Sequence, residues 1–179
     1  KLVLNDTVKN LSIHLPDVFY NLYEWKNGIN DTLCEGKALG ELSLLPLGIF
    51  RSIETSVLAY ESYAITNLYW KKELFPVFES GAGDYYLIDC DSNSLSYKMV
   101  WYYSPSQIEF NGLVTKYDSL ESLLYTVTEC FKERAYFYAL SDRYEFQEGP
   151  YFQFDVYKEA KICKRYNPHS EYWELFKNI

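Results

Sequence analysis

One stretch, Leu74 to Tyr103 (LFPVFESGAGDYYLIDCDSNSLSYKMVWYY), limits what this chain can fold into more than any other. Two aromatic-rich apolar runs, Tyr85–Cys90 and Tyr97–Tyr103, flank Asp91-Ser92-Asn93-Ser94, a cluster of turn-favouring residues. Strand-forming runs on either side of such a cluster predict a β-hairpin. Alternate residues of a strand share a face, so Tyr86, Ile88 and Cys90 point one way and Tyr85, Leu87 and Asp89 the other. The second run is apolar at nearly every position, as in a central strand covered on both sides. Gly81-Ala82-Gly83 permits a tight or left-handed backbone just ahead of the first run. The hairpin is therefore expected in the middle of an antiparallel sheet against which the rest of the chain packs.

Helical periodicity supplies the covering elements. In LPDVFYNLYEWKNG (15–28), Pro16 suits a first helical position and Asp17 suits the positive end of the dipole. Val18, Leu22 and Trp25 follow at helical spacing with Phe19 and Tyr23 on the flank, and Asn27-Gly28 stops the helix. A second helix is expected from about Ser52, its N-cap, to Tyr63, with Ile53, Val57 and Tyr60 on one face. Pro76 marks the start of a strand near Val77-Phe78, and Ile108–Phe110 and Val114–Tyr117 read as short strands. Asp118, with Glu121 three residues on, predicts a capping box ahead of a stripe of Leu120, Leu123, Leu124, Val127 and Phe131. Beyond Ala139 a helix over about 154–166 carries Val156, Ala160 and Cys163 on one face. Asn167-Pro168 breaks it, and Ser170 caps a last turn bearing Tyr172, Trp173 and Phe176.

With 179 residues, 48% of them hydrophobic, the chain is long enough to bury a core, and one domain over 1–179 is expected. A net charge of -8 argues against sequence-independent nucleic-acid binding, which needs a basic surface. It suits either a basic protein partner or plain solubility. The four cysteines, Cys34, Cys90, Cys130 and Cys163, show no paired spacing, and a reducing cytoplasm is expected. No run has transmembrane length and no signal peptide is visible; the chain opens on Lys1, so a removed leader stays open.

Few residues point to catalysis. His14 and His169 stand in no metal motif, and no nucleophile–base pair or GxSxG elbow is present. Gly81-Ala82-Gly83 lacks the ending of a phosphate loop. Glu79, Asp84, Asp89 and Asp91 crowd the central strand, which keeps carboxylate acid–base chemistry open as an alternative. For Glu79, Asp84 and Asp91, solvated turn chemistry is the simpler reading. Asp89, in an apolar strand, is expected to bind backbone amides at the strand end. Neither metal nor cofactor is expected.

The order of LPDVFYNLYEWKNG, LPLGIF, a helix, FPVFESGAGDYYLIDCD and a YDSLESLLYTV helix resembles the SUKH superfamily, which includes the yeast Knr/Smi cell-wall regulator and many bacterial immunity proteins. The resemblance covers Leu15 to about Phe137. Trp25, Asn27 and Gly28 match its helix-end signature, and Gly83, Asp84, Tyr86, Leu87, Ile88 and Asp89 match its strand signature. It implies an α+β fold, a bent antiparallel sheet flanked by helices, with a core over about 15–138; the tail over about 139–179 departs from the pattern and is expected as a C-terminal helical extension. It further implies a non-enzymatic, cytoplasmic bacterial protein that binds and neutralises a cognate toxin, often a nuclease. A regulatory scaffold of the same fold is the alternative. A toxin nuclease carries a basic cleft, so Glu79 and Asp84 beside the glycine turn, Asp91 at the hairpin tip and Tyr85 as an aromatic anchor are the expected partner-binding residues. No direct contact with nucleic acid or membrane is expected.

Overall fold

In a computed structural model, residues 7–29, 32, 35–66, 70–106, 112–140 and 149–176 are described. Five antiparallel strands run in chain order across one sheet: β1 (Ile49–Phe50), β2 (Leu74–Glu79), β3 (Tyr85–Asp89), β4 (Val100–Tyr103) and β5 (Leu113–Tyr117). The expected hairpin lies at its centre, with Tyr85 opposite Tyr103 and Ile88 opposite Val100, but its second strand is Val100–Tyr103 rather than the expected Tyr97–Tyr103, because Tyr97 and Lys98 belong to the turn. A second sheet pairs β6 (Tyr136–Ala139) with β7 (Tyr151–Phe154). The helices are α1 (Asp17–Trp25), α2 (Leu39–Leu42), α3 (Ile53–Thr66), α4 (Leu120–Lys132), α5 (Val156–Tyr166) and α6 (Glu171–Glu174). The arrangement is α+β, as expected. The segment Ile108–Phe110, expected as a strand, lies outside the described residues.

Alternation along β3 sorts its side chains as the sequence requires. Tyr86, Ile88 and Cys90 join the main core; Tyr85 and Leu87 join a smaller cluster with Trp70, Leu74 and Tyr103 on the other face. Helix α1 packs on the sheet through aromatic edges: Phe19 meets Phe75 at 5.2 Å between centroids, and Tyr23 meets Phe50 at 5.2 Å. Its buried stripe is Phe19, Leu22 and Tyr23, one position round from the expected Val18–Leu22–Trp25 face. Trp25 is 76% exposed, so this signature residue does not support the core. Helix α4 is capped by Ser119 rather than Asp118, because the Ser119 hydroxyl accepts from the Ser122 amide while Asp118 accepts from the His169 amide instead.

The described residues of 149–176 contribute to the core rather than forming a separate appendage. Ala160, Ile162, Cys163 and Trp173 lie in the same buried cluster as Phe75, Tyr86 and Leu123. Asp155 caps α5 by accepting from the amides of Tyr157 and Lys158. Glu159 faces inward on that helix, beside Ala160.

Asn27 and Gly28 form a clasp, not merely a helix stop. The Asn27 side-chain oxygen Oδ1 accepts from the Ile53 amide at 2.9 Å, adding to Ser52 as a cap of α3. Gly28 adopts φ +61°, and a Cβ there would lie 2.2 Å from the Arg51 carbonyl oxygen. The chain then makes a parallel bridge between Ile29 and Arg51, with the Ile29 amide donating to Phe50 and the Ser52 amide to Ile29. Only glycine tolerates both the left-handed backbone and the approach.

Candidate functional site

The acidic residues expected to face a partner are partly exposed, and each accepts hydrogen bonds from its own chain. Glu79 accepts from the Arg51 guanidinium, with Nε at 2.7 Å, and both side chains are largely buried. Asp84 accepts from the Ser80 hydroxyl at 2.8 Å and from the Tyr102 hydroxyl at 3.1 Å. Ser80 in turn accepts from the Ala82 and Asp84 amides, so the loop from Ser80 to Asp84 is a closed turn with Gly81 and Gly83 both at positive φ. Asp91 accepts from the Asn93 amide as a turn residue. Tyr85 is 8% exposed, packed against Trp70 and Tyr63, and therefore offers no surface anchor. Asp89 sits at the strand end, accepting from the Asp91 amide and the Ser96 hydroxyl. Among the described residues no group of three or more metal-ligating side chains forms.

The structure instead brings together a cavity of about 560 Å³ between the five-stranded sheet and the C-terminal segment. Lys116 and Glu159, each only 4% exposed, lie at its floor. Apolar walls come from Pro46, Phe152, Tyr172 and Phe176. Volume and lining are those of a ligand-sized pocket with a few converging polar groups.

Lys116 reaches this position through an irregularity in β5. Trp101 pairs with Thr115 and Val100 with Tyr117, leaving Lys116 as the extra residue between them. An extra residue re-aims side chains, because two positions on one strand then oppose one on the other. The Lys116 ammonium lies 4.4 Å from the ring centres of both Tyr102 and Tyr172, 5.1 Å from Tyr86 and 5.4 Å from Trp173. Rings at these distances attract a cation through their negative faces, which offsets part of the cost of burying it. One N–H donates to the Tyr86 hydroxyl at 3.1 Å, and that hydroxyl donates to the Pro46 carbonyl at 2.6 Å. Among the described residues the ammonium makes no further hydrogen bond and no ion pair within 4.0 Å.

Glu159 accepts from the Tyr136 hydroxyl at 2.6 Å through one oxygen. Burial pushes its pKa up, against the pull of Lys116 and the Tyr136 hydrogen bond. Burial pushes the Lys116 pKa down, and Glu159 draws it back up. Desolvation dominates at both groups, each partly stabilised by the other's charge.

The rim is apolar and open. Leu39, Leu47, Phe154 and Val156 line the mouth and are each partly exposed to solvent. Leu47 holds φ +57° in a turn closed by the Gly48 amide donating to Leu45, a left-handed conformation that costs a leucine about 1 kcal/mol or more.

The profile of the SMI1 / KNR4 family (SUKH-1) matches residues 3–126. The chain belongs to this family. No curated protein sequence matches it. The SUKH-1 match ends inside α4, so it includes Lys116 and the Pro46 turn but not Phe152, Glu159, Tyr172 or Trp173. The cavity is thus built half from the SUKH-1 region and half from residues beyond it. The matched region contains the Asn27-Gly28 clasp and the five-stranded sheet, whereas the cavity draws on residues beyond it as well. Neither Lys116 nor Glu159 stands out in the sequence, since LVTKY gives no sign of the extra residue and Glu159 occupies an ordinary first-turn position.

Proposed function

We propose that this chain is a non-enzymatic protein-binding module, an immunity protein that binds and neutralises a cognate toxin. The SUKH-1 family generally comprises immunity and regulatory proteins without catalytic activity, which agrees with this reading. The observation that carries it is the state of the clustered carboxylates. Glu79, Asp84, Asp89 and Asp91 each accept hydrogen bonds from side chains or amides of their own chain. Acid–base work needs a carboxyl group within reach of substrate and free to exchange a proton. A partner surface needs exposed apolar area around a pocket, and the rim of the cavity supplies it.

The test is co-expression with the product of the neighbouring gene in the genome of origin, which this reading expects to be a toxin, and titration of the purified pair by calorimetry. Survival of cells that the toxin alone kills, together with a one-to-one complex and no turnover of the toxin, is the expected result. Unprotected cells and no heat of binding overturn the reading; so does protection by catalytic modification of the toxin without a stable complex.

A further inference from the structure

We infer that the cavity between the sheet and the C-terminal segment receives a loop of the partner protein that inserts an apolar side chain together with an amide group, the carbonyl oxygen of the amide meeting Lys116 and its N–H meeting Glu159. The inference rests on the protein-binding reading above and names the chemistry of its site.

Three observations lead to it. First, both polar groups at the floor are buried yet incompletely bonded: Lys116 uses one of its N–H donors, and only one Glu159 oxygen accepts a hydrogen bond among the described residues. Both side chains line the cavity, so their remaining hydrogen-bonding capacity is open to an occupant that supplies an acceptor and a donor in place of water. Second, the floor carries one basic and one acidic side chain, Lys116 and Glu159, that make no ion pair with each other within 4.0 Å. A carboxylate placed there faces Glu159 and an ammonium faces Lys116, whereas a neutral amide offers an acceptor to one and a donor to the other. Third, the apolar surface does not end at the cavity mouth. Leu39, Leu47, Phe154 and Val156 remain partly exposed around it. An occupant confined to the cavity leaves them wet, and a protein loop covers them.

The consequence concerns partner choice. Lys116 lies within the part that matches SUKH-1 and Glu159 outside it. Changes in the C-terminal segment therefore retune what the cavity accepts while the sheet stays the same.

Three small probes share one isobutyl group and differ only at the head: isovaleramide, isovalerate and isoamylamine. Each is titrated into the isotopically labelled full chain at neutral pH and followed by nuclear magnetic resonance. Isovaleramide is expected to shift the resonances of Lys116, Glu159 and Phe152 with affinity in the millimolar range, at least about threefold tighter than either charged probe. Lys116→Met leaves Glu159 alone and should reverse the order in favour of isoamylamine. Glu159→Gln leaves Lys116 alone and should favour isovalerate. A purely structural role for the pair does not produce this crossed reversal. Equal binding of the three probes by the wild-type protein, tighter binding of isovalerate than of isovaleramide, or no shift with any probe overturns the inference, and none of these outcomes depends on the variants folding. Toxin neutralisation measured in parallel separates the two readings. Intact neutralisation without probe binding removes the cavity as the site and leaves the immunity role standing. Intact probe selectivity without neutralisation does the opposite.

Discussion

Replacing Gly28 with alanine isolates what the Asn27-Gly28 clasp contributes. At φ +61° an alanine carries the strain of the left-handed region, about 1–2 kcal/mol. The added Cβ would also lie 2.2 Å from the Arg51 oxygen and 2.7 Å from the Ser52 nitrogen, both backbone atoms that cannot swing aside. Relief requires the two segments to separate, which breaks the Ile29–Phe50 and Ser52–Ile29 hydrogen bonds at about 1 kcal/mol each. The expected loss is about 3–4 kcal/mol in urea melts. Gly36→Ala serves as the internal control. Its φ of +72° imposes similar strain, but nothing lies within 4 Å of the new Cβ, so it should lose only about 1–2 kcal/mol. The difference between the variants measures the steric part. A difference below about 0.5 kcal/mol, in either order, would refute the clasp and reduce Gly28 to an ordinary left-handed residue.

Trp173→Ala should cost about 3–5 kcal/mol by chemical denaturation, because Trp173 is buried in the main core and its indole donates to the Lys116 carbonyl, while Trp25→Ala should stay within about 0.5 kcal/mol. Glu159→Gln should change how stability varies with pH. Burial raises the folded-state pKa above its ordinary 4.5, so the folded protein holds a proton that the unfolded chain has released, and wild-type stability falls as pH rises through that interval. The variant should lack this fall; parallel curves for the two proteins from about pH 4 upward would contradict the assignment. Glu79→Lys should destabilise by about 2–3 kcal/mol, since it sets a second cation against the largely buried Arg51; an unchanged melt would show that Glu79 is a free surface acid after all.

The centre of the fold was legible because its signals are local. Turn residues at 91–94 lie between two strand-like runs, and a strict two-residue alternation sets Tyr86, Ile88 and Cys90 on one face and Tyr85 and Leu87 on the other, although it does not say which face meets the main core. The face of α1 was harder to read, since its apolar residues go nearly all round and periodicity does not choose between Trp25 and Tyr23. The candidate site escaped for a different reason. Strand alternation puts neighbouring residues on opposite faces, so Lys116 beside the core residue Tyr117 reads as a solvent-facing charge. The extra residue in β5 cancels that rule, and it depends on pairing with β4 rather than on any residue in LVTKY. The acids were misplaced for want of their partners: Arg51, Ser80 and Tyr102 lie in other elements, and their approach to Glu79 and Asp84 is a product of the fold.

Strand β5 closes one side of the five-stranded sheet, and its outward backbone is not left bare. The Ser170 hydroxyl donates to the Thr115 carbonyl, the Trp173 indole to the Lys116 carbonyl, and the Glu171 amide to the Thr115 hydroxyl. An uncovered strand of this kind is a template for another chain, and the usual remedies are charge, proline, irregular pairing or a covering helix. Here α6 and the extra residue act together. A variant that loosens α6 from β5 uncovers a ready-made pairing edge, so self-association into β-rich aggregates should accompany its loss of stability.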